Sequence, residues 1–163
     1  MKKLPPLAKI YEAWSAVADG RVASEDFDAP TGRAKVASSD GTKRYTVSWS
    51  ADGAGAAAYS SNDNATYWQG YAGYPLIAVL MEQGKLTLER NVAEQFKRVN
   101  WTDLNKRCKR DYERAVEAVI AERGLDAERV EAAARKAFAE LEDLDITVKR
   151  GQPRFATIRR APA

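Results

Sequence analysis

The sequence predicts a single α+β domain over residues 1–150, with an N-terminal helix, a three- or four-stranded antiparallel meander and a helical C-terminal half, followed by a basic tail at 151–163. Three observations carry this expectation. Apolar residues recur at helical spacing near the start of the chain and again in its last half, they alternate with polar residues between Arg44 and Ser50, and they run unbroken from Leu76 to Met81.

The first element follows from Leu7, Ile10, Tyr11, Trp14 and Val17, which share one face of a helix that begins after Pro5 and Pro6 and stops at Gly20. Turn signals then dominate from Arg21 to Asn64. Within them Tyr45, Val47 and Trp49 alternate with Arg44, Thr46, Ser48 and Ser50, the pattern of a strand with one face buried and one wet. Asp40-Gly41 precedes this strand and Asp52-Gly53 follows it, and both pairs accept the positive backbone angles of tight turns. The flanking strands are therefore expected at 34–38 and 56–61, with 22–25 as a candidate fourth.

A surface helix would interrupt the run from Leu76 to Met81 with polar residues, so the helix expected there must be covered on nearly every side. Pro75 suits its first turn and Gly84 its left-handed stop. Beyond it, Leu88, Val92, Phe96 and Val99 predict a helix from Thr87, interrupted at Asn100-Trp101. Leu104, Cys108, Tyr112, Ala115 and Val119 then predict one longer helix from about Thr102 to Arg123. Gly124 closes it, Asp126 caps the next helix, and the short connection folds the two back into an αα-hairpin whose second buried face is Val130, Ala133, Ala134, Ala137, Phe138 and Leu141. Ile146 and Val148 suit a last short strand.

Composition narrows the function classes. Hydrophobic residues at 45% and charged residues at 30% describe a globular chain and not a disordered one. The net charge of +3 is mild, but its distribution is polarised. Residues 86–116 carry eight Lys or Arg against five acids, 117–147 four against nine, and 148–163 five against none. Histidine is absent, which removes the commonest general base, the commonest neutral metal ligand and every Ser-His or Cys-His arrangement. Cys108 is the single cysteine, so neither an internal disulfide nor a thiolate cluster is expected. No catalytic residue, metal or cofactor is assigned. Met1-Lys2-Lys3-Leu4 opens like a signal peptide, but Lys9 and Glu12 break up the apolar region, which predicts a cytoplasmic protein. The apolar run at Leu76 is far short of the roughly 20 residues that cross a bilayer, so no membrane association is expected.

Several motifs carry a bland reading beside a chemical one. Gly53-Ala54-Gly55-Ala56-Ala57-Ala58 fits a dinucleotide-binding pattern, but the required helix does not follow it and a hairpin does. Asn62-Asp63-Asn64 clusters oxygen ligands, yet lacks the glycine and glutamate of a calcium loop and reads as a turn or cap. Cys108 falls on an apolar stripe and reads as a small core residue in spite of its basic neighbours.

Two sets of residues remain as candidate surfaces. Tyr67, Trp68, Tyr71 and Tyr74, in a loop with Gly70 and Gly73, are expected first to close one end of the core and otherwise to form a ligand or partner patch, and if the chain has a pocket its rim is expected here. Lys97, Arg98, Lys106, Arg107, Lys109, Arg110 and Arg114, with the tail residues Lys149, Arg150, Arg154, Arg159 and Arg160, could face phosphate, although Asp103, Glu113 and Glu117 lie within reach as helix partners. A helix-turn-helix reading, with Thr102 to Arg107 opening the reading helix, suits Asn105, Lys106 and Arg107 but sets Asp103 against phosphate.

Three functions follow in order of preference. The first is a non-catalytic binding module for a protein partner or a second copy of itself. The second is a nucleic-acid-binding module using the basic helix 102–114 and the tail. The third is an enzyme built on carboxylates and tyrosines, with Asp63, Tyr67 and Tyr71 as its candidates.

Overall fold

The computed structural model describes residues 2–51 and 55–151. The Asp52-Gly53 turn, the start of the glycine-rich motif and the tail arginines Arg154, Arg159 and Arg160 lie outside the described residues.

The helix α1 (Ala8–Ala18) leads into strands β1 (Val22–Ala23), β2 (Thr31–Ala37), β3 (Arg44–Ser50) and β4 (Ala57–Ser61). A π-helical turn (Ala65–Gln69) precedes α2 (Tyr74–Glu82), α3 (Arg90–Glu94), α4 (Trp101–Arg107), α5 (Tyr112–Arg123) and α6 (Ala127–Asp143), and β5 (Ile146–Arg150) closes the order. The chain is thus mixed α+β with an N-terminal helix and a helical C-terminal half, as its patterning predicts.

The sheet is larger than the expected meander. Its order is β1-β2-β3-β4-β5, antiparallel from β1 to β4, with β5 parallel to β4. Tight turns announce antiparallel neighbours locally, whereas a parallel neighbour needs a long crossover, and here the whole helical half is that crossover. The alternation in β3 holds: Tyr45, Val47 and Trp49 are buried and Arg44 and Ser50 exposed. Register places Trp49 opposite both Gly32 and Tyr59. A Cβ on Gly32 would meet the indole ring at 2.7 Å, so glycine is what lets that ring lie flat across β2. At the β2–β3 turn, the Asp40 carboxylate accepts from the Ser38 hydroxyl at 2.7 Å and from the Thr42 N–H at 3.0 Å, and Gly41 has φ +76°.

The core is organised around α1 as much as α2. Residues Leu76 to Met81 are buried on every side, as their unbroken apolarity requires. Helix α1 packs against α2, α3, α5 and α6. Surrounded in this way, it buries three polar residues, Lys9, Glu12 and Ser15, along with its apolar ones. The Ser15 hydroxyl donates to the Phe96 carbonyl at 2.5 Å and accepts from Trp101 Nε1 at 2.8 Å.

Two helix expectations are corrected. The helix predicted from Thr87 is one short segment, α3, preceded by irregular chain at 87–89 and followed by a turn at 95–98. The long helix predicted from Thr102 to Arg123 is two helices. Lys109 and Arg110 adopt left-handed φ of +54° and +66°. The Lys109 N–H donates to the Lys106 carbonyl at 3.1 Å and the Arg110 N–H to the Asn105 carbonyl at 2.8 Å, the paired bonds that end a helix. Asp111 then caps α5 by accepting from the Arg114 N–H at 3.2 Å.

Candidate functional site

A polar cleft of about 420 Å³ opens where α1, β3, the π-helical turn, the start of α2 and the α4–α5 break converge. Each wall is set by local chemistry. Asp63, at the end of β4, accepts from the Ser61 hydroxyl in a short hydrogen bond and from the Thr66 N–H at 3.1 Å, which starts the π-helical turn. Thr66 Oγ1 in turn accepts from the Gly73 N–H at 2.9 Å. A Cβ on Gly73 would lie 2.0 Å from Asp63 Oδ2, so the return of the chain against this carboxylate depends on glycine. Single π-helical turns redirect side chains and recur at functional sites. This one turns Trp68 out to 65% exposure.

Tyr67 and Trp68 meet edge to face at 4.7 Å. Behind them, Arg150 of β5 lies 4.6 Å from the centre of the Tyr67 ring and donates from Nε to the Tyr67 carbonyl at 3.0 Å. The last strand therefore braces the turn that presents Trp68.

The floor comes from α1. Lys9 and Glu12 form an ion pair at 3.4 Å with side chains only 9% and 4% exposed. Lys9 Nζ also lies 4.2 Å from the Tyr112 ring centre, and Asn105 Nδ2 donates to Glu12 Oε2 at 3.4 Å. These contacts are longer than the 2.7–2.9 Å or so of a strong charge-assisted hydrogen bond, which leaves the ammonium with donor capacity to spare. Asn105 Oδ1 is buried without a partner among the described residues. Burial works against the Lys9 charge, but Glu12 and the oxygens of Tyr112 and Tyr71 outweigh it and raise its pKa above the ordinary lysine value. Burial likewise raises Tyr71 and Tyr74, so both are neutral phenols that can donate and accept.

The structure brings together part of each predicted set. Trp68, Tyr71 and Tyr74 line the cleft with Asp63, while Tyr67 stands behind Trp68. Of the basic residues, Arg110 alone lines it. Lys97, Arg98, Lys106, Arg107, Lys109 and Arg114 are exposed on the α3–α4 turn, α4, the break and α5. Arg107 pairs with Asp103 at 2.9 Å and Lys97 with Glu94 at 3.8 Å. The break removes the helical spacing on which a pair between Glu113 and Lys109 or Arg110 depends. Cys108 is half-buried against the core. Asn62 accepts from the Thr46 N–H at 2.9 Å, which with the Asp63 cap makes Asn62-Asp63-Asn64 a strand-to-turn device. Among the described residues, no three His, Cys, Asp or Glu side chains are grouped as a metal site needs, and no helix is long and apolar enough to cross a membrane.

The model of a protein family described as Uncharacterised conserved protein UCP014422 matches residues 2–147. The chain belongs to that family. The span matched to UCP014422 contains the whole cleft from Lys9 to Tyr112 and ends inside β5, before Lys149, Arg150 and the basic tail. No curated protein and no solved structure matches the chain.

Lys9, Glu12, Tyr45, Ala65, Gln69 and Tyr112 line the cleft but belong to none of the sequence-predicted sets. A signal for two of them was present. Lys9, Glu12 and Ser15 stand at i, i+3 and i+6 in a helix that is otherwise largely apolar, which marks a polar stripe that a fully packed helix must bury.

Proposed function

We propose that this chain is a non-catalytic binding module that engages a protein segment at the Trp68-rimmed cleft. One observation carries the reading: Trp68, 65% exposed, is the exposed large hydrophobic side chain among the described residues, and it stands over a cleft floored by a buried ion pair. Tryptophan is a favoured anchor of protein interfaces because it combines a large apolar area with few rotatable bonds. The polar groups beneath it, Lys9 Nζ and the Tyr71 hydroxyl, are suited to fixing the register of a bound backbone or polar side chain.

The same geometry supports binding over catalysis. Both oxygens of Asp63, the carboxylate nearest the rings in sequence, already accept hydrogen bonds, from Ser61 and Thr66. Nucleic-acid contact is a second reading, favoured by the exposure of Lys106, Lys109, Arg110 and Arg114 without an ion pair among the described residues. It has less support, because Lys97 and Arg107 are paired and the basic residues are spread over several elements.

The test places a photo-crosslinking residue at Gln69, on the cleft rim, and compares the chain with and without Trp68→Ala. Loss of an anchor residue worth about 2 kcal/mol corresponds to roughly 30-fold in affinity. The expected result is a discrete crosslinked species that disappears with Trp68→Ala while the unfolding transition is unchanged. Light scattering of that species separates a second copy from a different protein. Crosslinks that persist without Trp68 would overturn the reading.

A further inference from the structure

We propose that a second surface, the wedge between α5 and α6, receives a basic amphipathic helix from a partner protein. Gly124–Asp126 joins these two helices, yet each packs against α1 more than against the other. Two amphipathic helices that do not close on one another leave apolar surface between them. The result is a groove of about 730 Å³, floored by Leu7 and Tyr11 of the α1 region and walled by Val116 and Ile120 of α5.

Its rim decides the occupant. Glu113 and Glu117 line one side and Glu128 and Glu131 the other, and the single basic residue of the lining, Arg135, is already paired with Glu131 at 3.5 Å. The surrounding segment 117–147 has nine acids against four bases. An apolar floor between acidic lips selects a ligand with large aliphatic residues on one face and Lys or Arg beside them. The same lips repel nucleic-acid phosphate and anionic lipid. From Glu113 to Ala121 and from Ala127 to Arg135 the two walls each extend about 12 Å, so the groove takes two to three turns of a helix. Tyr112 lines both this groove and the Trp68 cleft, so the two surfaces are contiguous but chemically opposite.

The probe is a fluorescein-labelled peptide of about 14 residues, roughly 20 Å as a helix, with leucines on one face and lysines on the other. Its control has the same composition with the leucines distributed around the helix. Titrated against the full chain in about 50 mM salt, the amphipathic peptide is expected to bind at least tenfold more tightly than the control, and to weaken several-fold at about 200 mM as screening grows. Glu117→Lys combined with Glu131→Lys, both solvent-exposed, is expected to weaken it at least tenfold, and Ile120→Asp to abolish it. Trp68→Ala should leave it unchanged, which separates this surface from the cleft. If Ile120→Asp does not fold, the glutamate pair still decides. No binding at low salt, equal binding of the control, or indifference to the glutamate pair would overturn the proposal. A concentration-dependent dimer that the glutamate pair dissolves would also overturn it, by assigning the groove to a second copy.

Discussion

Lys9 and Glu12 are three positions apart on α1 and nearly hidden from solvent, so their energetics follow the rules for buried charges. Removing one partner strands the other. Lys9→Met is expected to destabilise the fold by about 2–4 kcal/mol, because Glu12 would keep only its 3.4 Å contact with Asn105. Lys9→Met with Glu12→Leu should recover most of that loss, since no charge is then left unpaired. The measurement is the urea midpoint of the single and double variants. If the double variant is no more stable than the single, the pair contributes through packing and not charge. The double variant also separates stability from recognition: it is expected to fold and still to lose the crosslink at Gln69.

Among the elements, the α4–α5 break shows most clearly what patterning conceals. The apolar stripe from Leu104 to Val119 continues at helical spacing across it, and the residue at the left-handed stop is a lysine where glycine is usual. Nothing in the hydrophobic period marks the break. Asp111, a good capping residue ahead of Glu113, was its readable trace. Lys109→Gly should relieve the left-handed strain and stabilise the protein by about 0.5–1 kcal/mol net of the added unfolded-state freedom, read as a rise in urea midpoint with unchanged slope. A fall in midpoint would mean that the lysine side chain holds the break by contacts of its own. By contrast, the β2–β3 hairpin was legible, since Asp40-Gly41 supplies both the positive angle and the carboxylate that the turn consumes. The core helix α2 was legible for a different reason, its continuous apolarity permitting no wet face.

At the scale of the whole molecule, the ionisable groups predict an asymmetric stability profile. Burial raises Tyr11 to about 12 and also raises Tyr59, Tyr71 and Tyr74, and Lys9 is raised despite burial. A group whose folded pKa lies above its unfolded one stabilises fully below the unfolded value and loses that contribution as pH climbs through the folded one. These groups therefore act together above about pH 10, with Lys2, lowered by burial, running against them. On the acid side, Asp40 is held down to about 2 by hydrogen bonds from Ser38 and Thr42, so its contribution is present above the ordinary aspartate value and fades as pH falls through 2. The urea midpoint is expected to fall more steeply between about pH 10 and 12 than between about pH 4 and 2. A symmetric profile would show that the tyrosines are more hydrated than their burial implies. The cleft was only partly readable because its members are far apart in sequence, α1 supplying the ion pair and β3, the π-helical turn, the loop after it, α2 and α5 the rings. The aromatic half shows as a compact local cluster, and the ion pair only as a polar stripe on an otherwise apolar helix.

The parallel pairing of β5 with β4 sets an order of events during synthesis. About half the chain separates Ser61 from Ile146, and β4 has no outer neighbour until that half has been made. On a ribosome, the first four strands emerge with an open edge, while Arg150, the brace beneath the Trp68 turn, emerges only after the helices α2 to α6. The nascent protein therefore completes the Trp68 cleft only after the whole helical half has been made, and it passes through a stage in which the outer edge of β4 is bare.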